Sequence, residues 1–131
     1  MIDLVIDASA GVDLLLDTVS GRALLAKLPS HARWWAPEHY LVEVAATLRR
    51  AELNGAAPAA RVAVAFEQLR TGRFLRAQVR QLMPAAWALR GHLTFADALY
   101  VVLADQLGAQ LVTSDINLAN SPGLTVTTIT P

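Results

Sequence analysis

The sequence contains no cysteine, which excludes disulfides, thiolate nucleophiles and cysteine zinc sites at once, so any metal must be held by oxygen or imidazole. It has a single lysine, Lys27, and its three histidines, His31, His39 and His92, show no metal-ligand spacing. Hydrophobic residues make up 54% of the chain and mean hydropathy is +0.39. Even so, no apolar run reaches the roughly 20 residues that a membrane-spanning helix needs. The apolar opening contains Asp3 and follows no basic region, so it does not read as a secretory signal, and a cytoplasmic protein without membrane contact is expected. Net charge is lacking too. Eleven acids offset eleven bases, and the whole-molecule field points to no nucleic-acid partner.

What is present suits one domain, residues 1–131, around one core. Residues 2 to 6 read as a strand that passes at Asp7-Ala8-Ser9 into a helix bearing Val12, Leu14, Leu15 and Leu16. A second helix around residues 20 to 28 stops at Pro29, and Arg33 to Ala36 forms a short strand before Pro37 that should bury one tryptophan and expose the other. Glu38 to Leu53 is the clearest helix, with Leu41, Val44, Ala45 and Leu48 on one stripe and Asn54-Gly55 as its stop. Pro58 opens the next helix, which runs to Gly72. Phe74 to Val79 is expected as a strand and Pro84 to Arg90 as a helix. Thr94 caps an apolar helix that stops near Gly108, Gln110 to Thr113 is a buried strand, Asp115 to Ala119 a helical turn, and Leu124 to Ile129 a last strand. Such alternation predicts an α/β fold with a parallel sheet flanked by helices, and ligands then bind beyond the carboxyl ends of the strands.

Three carboxylates, Asp7, Asp97 and Asp115, bear on that edge, and Glu43 is weighed beside them. Asp7 and Asp115 each end a strand and precede a helix, where a carboxylate also serves as a helix cap, although Ser9 could cap in place of Asp7. Thr94-Phe95-Ala96-Asp97 has capping-box spacing, so Asp97 has a structural reading as well. Glu43 lies mid-helix, and its alternative is a lateral pair with His39. Collectively the acids would repel one another unless they shared a cation, and hard oxygen ligands suit Mg²⁺ or Mn²⁺.

The segments that carry these acids form a pattern. Val5-Ile6-Asp7-Ala8-Ser9, Ala36-Pro37-Glu38-His39-Tyr40-Leu41-Val42-Glu43-Val44 with Leu48-Arg49-Arg50, Phe95-Ala96-Asp97-Ala98-Leu99-Tyr100 and Leu111-Val112-Thr113-Ser114-Asp115 together resemble the VapC toxins of the PIN-domain superfamily. The resemblance implies a three-layer α/β/α fold with a parallel sheet of four or five strands. It implies an endoribonuclease active with Mg²⁺ or Mn²⁺, leaving 5′-phosphate and 3′-hydroxyl ends, and inhibited by a cognate VapB antitoxin. It also implies a homodimer, with the helix from Glu38 to Leu53 contributing to the antitoxin groove. Position by position, Asp7, Glu43, Asp97 and Asp115 take the family's four acidic places, and Ser9 and Thr113 its supporting hydroxyls. Asp7 and Asp97 are then the foremost metal ligands, Asp115 binds directly or through water, and Glu43 orients the attacking water or a second ion. Asn117 either touches a metal water or serves a turn.

Arg70, Arg73, Arg76, Arg80 and Arg90 fall in a stretch without acids between Glu67 and Asp97, which reads either as a solvated face or, for the first four, as a surface for RNA phosphate. Arg49 and Arg50 are expected to pair with Glu52, and Tyr100 to lie in the core. Rival α/β readings lack a residue each. A phosphoacceptor receiver needs a lysine after a late strand, and Lys27 is in the wrong place; a haloacid-dehalogenase-type phosphatase needs an acid where Ser9 stands. A catalytically inactive PIN-like module for RNA or protein binding remains as the alternative function.

Overall fold

The computed structural model describes residues 1–131. The chain alternates as expected: β1 (Ile2–Ile6), α1 (Ala8–Leu16), α2 (Val19–Lys27), β2 (Ala32–Pro37), α3 (His39–Leu53), α4 (Ala59–Thr71), β3 (Leu75–Ala77), α5 (Val79–Ala88), α6 (Phe95–Leu107), β4 (Gln110–Val112), α7 (Ile116–Ala119) and β5 (Thr128–Ile129). All pairings are parallel, and the five strands lie in the order β3-β2-β1-β4-β5. The chain therefore works outward from β1 in one direction, then returns to add β4 on the other side. That reversal places a topological switch point between β1 and β4, and in such sheets ligands bind beyond the carboxyl ends of the strands at that point.

Central strands in such sheets are covered on both faces, which explains why Leu4, Val5 and Ile6 are all buried in succession, as are Leu111 and Val112. The seven residues Ala98 to Ala104 of α6 are buried without a break, so this helix runs through the protein interior rather than along its surface. Gly108 ends it in the left-handed conformation, with φ 61°, which a Cβ would disfavour. Close packing also constrains α1: a Cβ on Gly11 would stand 2.3 Å from the Tyr40 hydroxyl. No helix is long and apolar enough to cross a membrane.

Several expectations need correction. α5 starts at Val79 rather than Pro84, which trims β3, and Pro84 sits inside the helix on its exposed face. The carbonyl of Arg80 loses a helical donor there, but both residues face solvent, where water can replace it. β5 pairs over two residues only, because β4 offers a short edge. Both tryptophans of β2 are half-buried; Trp35 lies along the sheet and donates to Asp3 at 3.0 Å. Arg49 and Arg50 make no ion pair with Glu52, and Arg50 instead donates to the Thr47 hydroxyl at 2.9 Å.

Candidate active site

Asp7 is held by both strands of the switch point. Its backbone N–H donates to the Val112 carbonyl at 3.1 Å, extending the β1–β4 ladder by one residue. Its side chain then caps α1: Oδ1 accepts from the Ala10 N–H at 2.9 Å and from the Ser9 hydroxyl at 2.7 Å, while Oδ2 accepts from the Thr113 hydroxyl. Asp7 is only 3% exposed. Burial pushes its carboxyl above the ordinary value of 3.8, the donated hydrogen bonds oppose this, and the nearby charge of Asp97 adds to it.

Ser9 and Thr113 tie the loop after β4 to the start of α1. Ser9 Oγ accepts from the Ser114 N–H, and Thr113 Oγ1 from the Asp115 N–H, each at 3.0 Å. Each hydroxyl owns one hydrogen, and both hydrogens go to Asp7, so the 3.3 Å approach between these two oxygens is a contact left over by that network.

Asp115 follows two residues later and caps α7 by accepting from the Leu118 N–H at 3.1 Å. Asp97 sits in the first turn of α6, where its N–H donates to the Thr94 hydroxyl at 3.2 Å. It is half-buried, and burial, with the charges of Asp115 and Glu43, raises its carboxyl above the ordinary 3.8. Asp97 thus feels Asp7, Asp115 and Glu43 together. Glu43 comes from α3, one turn past His39, with its Oε1 2.6 Å from the donating Tyr100 hydroxyl and 3.4 Å from His39 Nε2. His39 Nε2 also lies 3.2 Å from the Ala96 carbonyl, which can only accept, so this nitrogen carries the hydrogen.

The cap readings of Asp7 and Asp115 and the lateral pair of Glu43 are therefore all present, and they coexist with convergence. The decisive feature is electrical. Arginine pairs with Asp3, Asp17 and Glu67, but neither arginine nor lysine pairs with any of the four acids, and the one imidazole beside them is that of His39.

A family model described as PIN domain matches residues 4–124. Ribonuclease VapC3 of Mycobacterium tuberculosis is 40% identical over 121 residues, spanning 89% of this chain and 85% of that protein. The chain belongs to the VapC family of PIN domains. Ribonuclease VapC12 of the same organism is 37% identical over 123 residues, 92% of each chain. The solved structure of VapBC2 from Rickettsia felis, bound to a DNA fragment from the promoter, matches 97% of this chain and 98% of that one with a TM-score of 0.66 at 14% identity, a likeness of fold.

In this VapC chain the donor set suits a hard divalent cation: carboxylate oxygens, that of Asp7 buried and the others half-buried, without an arginine or lysine to pair with them. Asp7 uses three of its roughly four lone-pair sites internally, leaving one for an ion. No three acidic or imidazole groups already stand in a metal-holding arrangement, and Asp7 and Asp115 each give an oxygen to a helix cap.

The remaining candidates lie elsewhere. Asn117 is exposed on α7, where its carbonyl accepts from Ser121 at 2.9 Å. Arg70, Arg73, Arg76 and Arg80 are exposed along α4, β3 and α5, and Arg70 is already taken by both oxygens of Glu67. β3 is two strands from β1, so these arginines flank the site at a distance. A cavity of about 160 Å³ lined by Leu15, Trp34, Tyr40, Leu69 and Phe74 lies near Arg73 and contains no carboxylate. The contribution of Tyr100 was hidden in the sequence by the apolar helix around it; its position one turn after Asp97 is the signal that would have found it.

Proposed function

We propose that the chain is an endoribonuclease dependent on Mg²⁺ or Mn²⁺, and the toxin member of a toxin and antitoxin pair of the VapBC kind. The observation that carries this reading is the set of Asp7, Glu43, Asp97 and Asp115 at one sheet edge with no arginine or lysine to neutralise them. It is supported by the relatives named Ribonuclease VapC, and the pairing with a VapB-type antitoxin by the VapBC2 neighbour.

In this reading Asp7 and Asp97 hold the ion and Asp115 reaches it directly or through water. Such an ion supplies Lewis acidity and positive charge beside the scissile phosphodiester. Ser9 and Thr113 keep Asp7 in one orientation through their hydroxyl hydrogens. In the same reading Glu43 Oε2, the oxygen that Tyr100 does not occupy, orients a water and accepts its proton. Arg73, Arg76 and Arg80 are exposed and unpaired, and offer phosphate contacts along the RNA; Arg70 can join them on releasing Glu67. In this reading the chain also forms a homodimer.

The test is cleavage of total cellular RNA with Mg²⁺ or Mn²⁺ by wild type, Asp7→Ala and Asp97→Ala. Cleavage by wild type should fall about a hundredfold or more in both variants. Equal cleavage by all three would overturn the assignment and return the chain to a binding module.

A further inference from the structure

The helices that carry Glu43 and Asp97 have separate supports: α3 packs on α1 and α4, whereas α6 packs on α5 and the sheet. They meet at the site through three side-chain contacts. Tyr100 donates its hydroxyl to Glu43 Oε1 at 2.6 Å, His39 Nε2 lies 3.2 Å from the Ala96 carbonyl, and the His39 and Tyr100 rings meet at a tilt of 41° with centroids 4.6 Å apart; within α3, His39 Nε2 is also 3.4 Å from Glu43 Oε1.

Packing alone does not explain the hydroxyl. Tyr100 is 1% exposed within an otherwise apolar stretch of α6, where a phenylalanine would fill the same space. A buried hydroxyl is unfavourable unless it is bonded, and this one has Glu43 as its partner. Burial and the Glu43 carboxylate push the Tyr100 phenol far above its ordinary value, so it remains a donor throughout the working pH range. The geometry occupies Oε1 of Glu43 and leaves Oε2 without a hydrogen-bond partner, and the Glu43 charge is felt at Asp97.

We infer that Tyr100, assisted by His39, is a positioning residue that locks Glu43 in the rotamer presenting Oε2 to the other three carboxylates. This rests on the metal-dependent reading of the same site. Without the hydroxyl, Glu43 swings toward solvent, where it is already half-exposed.

The test measures Mn²⁺ affinity by electron paramagnetic resonance for wild type, Tyr100→Phe, Glu43→Gln and the double variant, with thermal melting of each. Tyr100→Phe should fold and weaken Mn²⁺ binding about tenfold, while adding no further loss in the Glu43→Gln background. Unchanged affinity in Tyr100→Phe, or the same loss with and without Glu43, would overturn the inference, because a merely structural role predicts additivity. Should Tyr100→Phe not fold, His39→Ala takes its place in the same cycle, with the same expected dependence on Glu43. A wild type that binds no Mn²⁺ would overturn the metal-dependent reading itself, and this inference with it; wild-type binding with an unaffected Tyr100→Phe would overturn the inference alone.

Discussion

The two ends of β1 each place an aspartate beside neighbouring strands, and the fold treats them in opposite ways. At the amino end, Asp3 accepts from Arg33 Nε at 2.7 Å, from Arg33 Nη2 at 3.0 Å and from Trp35 Nε1 at 3.0 Å, and these partners hold its carboxyl below the ordinary value. At the carboxyl end, Asp7 has three neutral donors and burial that pushes its carboxyl up. Asp3 has its counter-charge inside the protein. Asp7 stands among three further acids and has none. In the metal-dependent reading proposed above, the difference separates a structural carboxylate from one held ready for a cation.

The contrast is sharpest in catalysis. In the RNA cleavage assay Asp3→Ala should stay within about twofold of wild type while Asp7→Ala loses about a hundredfold or more. Comparable losses would mean that β1 contributes stability rather than chemistry at both ends.

Stability should reverse sign between Asp3 and Asp97, the acid of α6 that faces Asp7 beyond the carboxyl end of β1. The Asp97 carboxyl is raised, so the folded chain holds its proton to higher pH than the unfolded chain does. Its favourable contribution is full below the ordinary value of 3.8 and is lost as pH rises through the raised value. Asp97→Asn should therefore melt about 1 to 3 °C above wild type at neutral pH in EDTA, after allowance for solvent screening, and the advantage should vanish on acidification. Asp3 has a depressed carboxyl, so its contribution is present above 3.8 and is lost as pH falls through the depressed value. Arg33→Ala should lower the melting temperature by less than about 2 °C at neutral pH, with the gap closing toward acid. Melting curves between about pH 3 and pH 8 check both slopes, and slopes of the same sign would break the comparison.

Much of this fold was legible because apolar runs bounded by helix caps locate strands and helices directly. The β1 to α1 turn at Asp7, the Thr94 cap and the Gly108 stop all follow from local rules. Strand order was less accessible, since it depends on which edges meet across long separations, and two-residue pairing in β5 cannot be told from six residues of β-branched sequence. Pro84 misled because its helix-breaking effect was weighed without knowing that Arg80 faces water. Asp7, Asp97 and Asp115 were expected at one edge from the strands and helix they flank, whereas Glu43 joined them only through the family resemblance. Their partners were not: Tyr100 and Glu43 are 57 residues apart, and periodicity assigned Tyr100 to packing alone. Nor does any local pattern reveal that Ser9 and Thr113 spend both hydroxyl hydrogens on Asp7.

The most direct test is calorimetric titration of Mn²⁺ into wild type, Asp3→Asn, Asp7→Asn and Asp97→Asn. Wild type and Asp3→Asn should bind alike, and Asp7→Asn and Asp97→Asn at least about tenfold more weakly. Equal binding by all four proteins would contradict the claim that the carboxylates at the carboxyl edge of the sheet share an external cation.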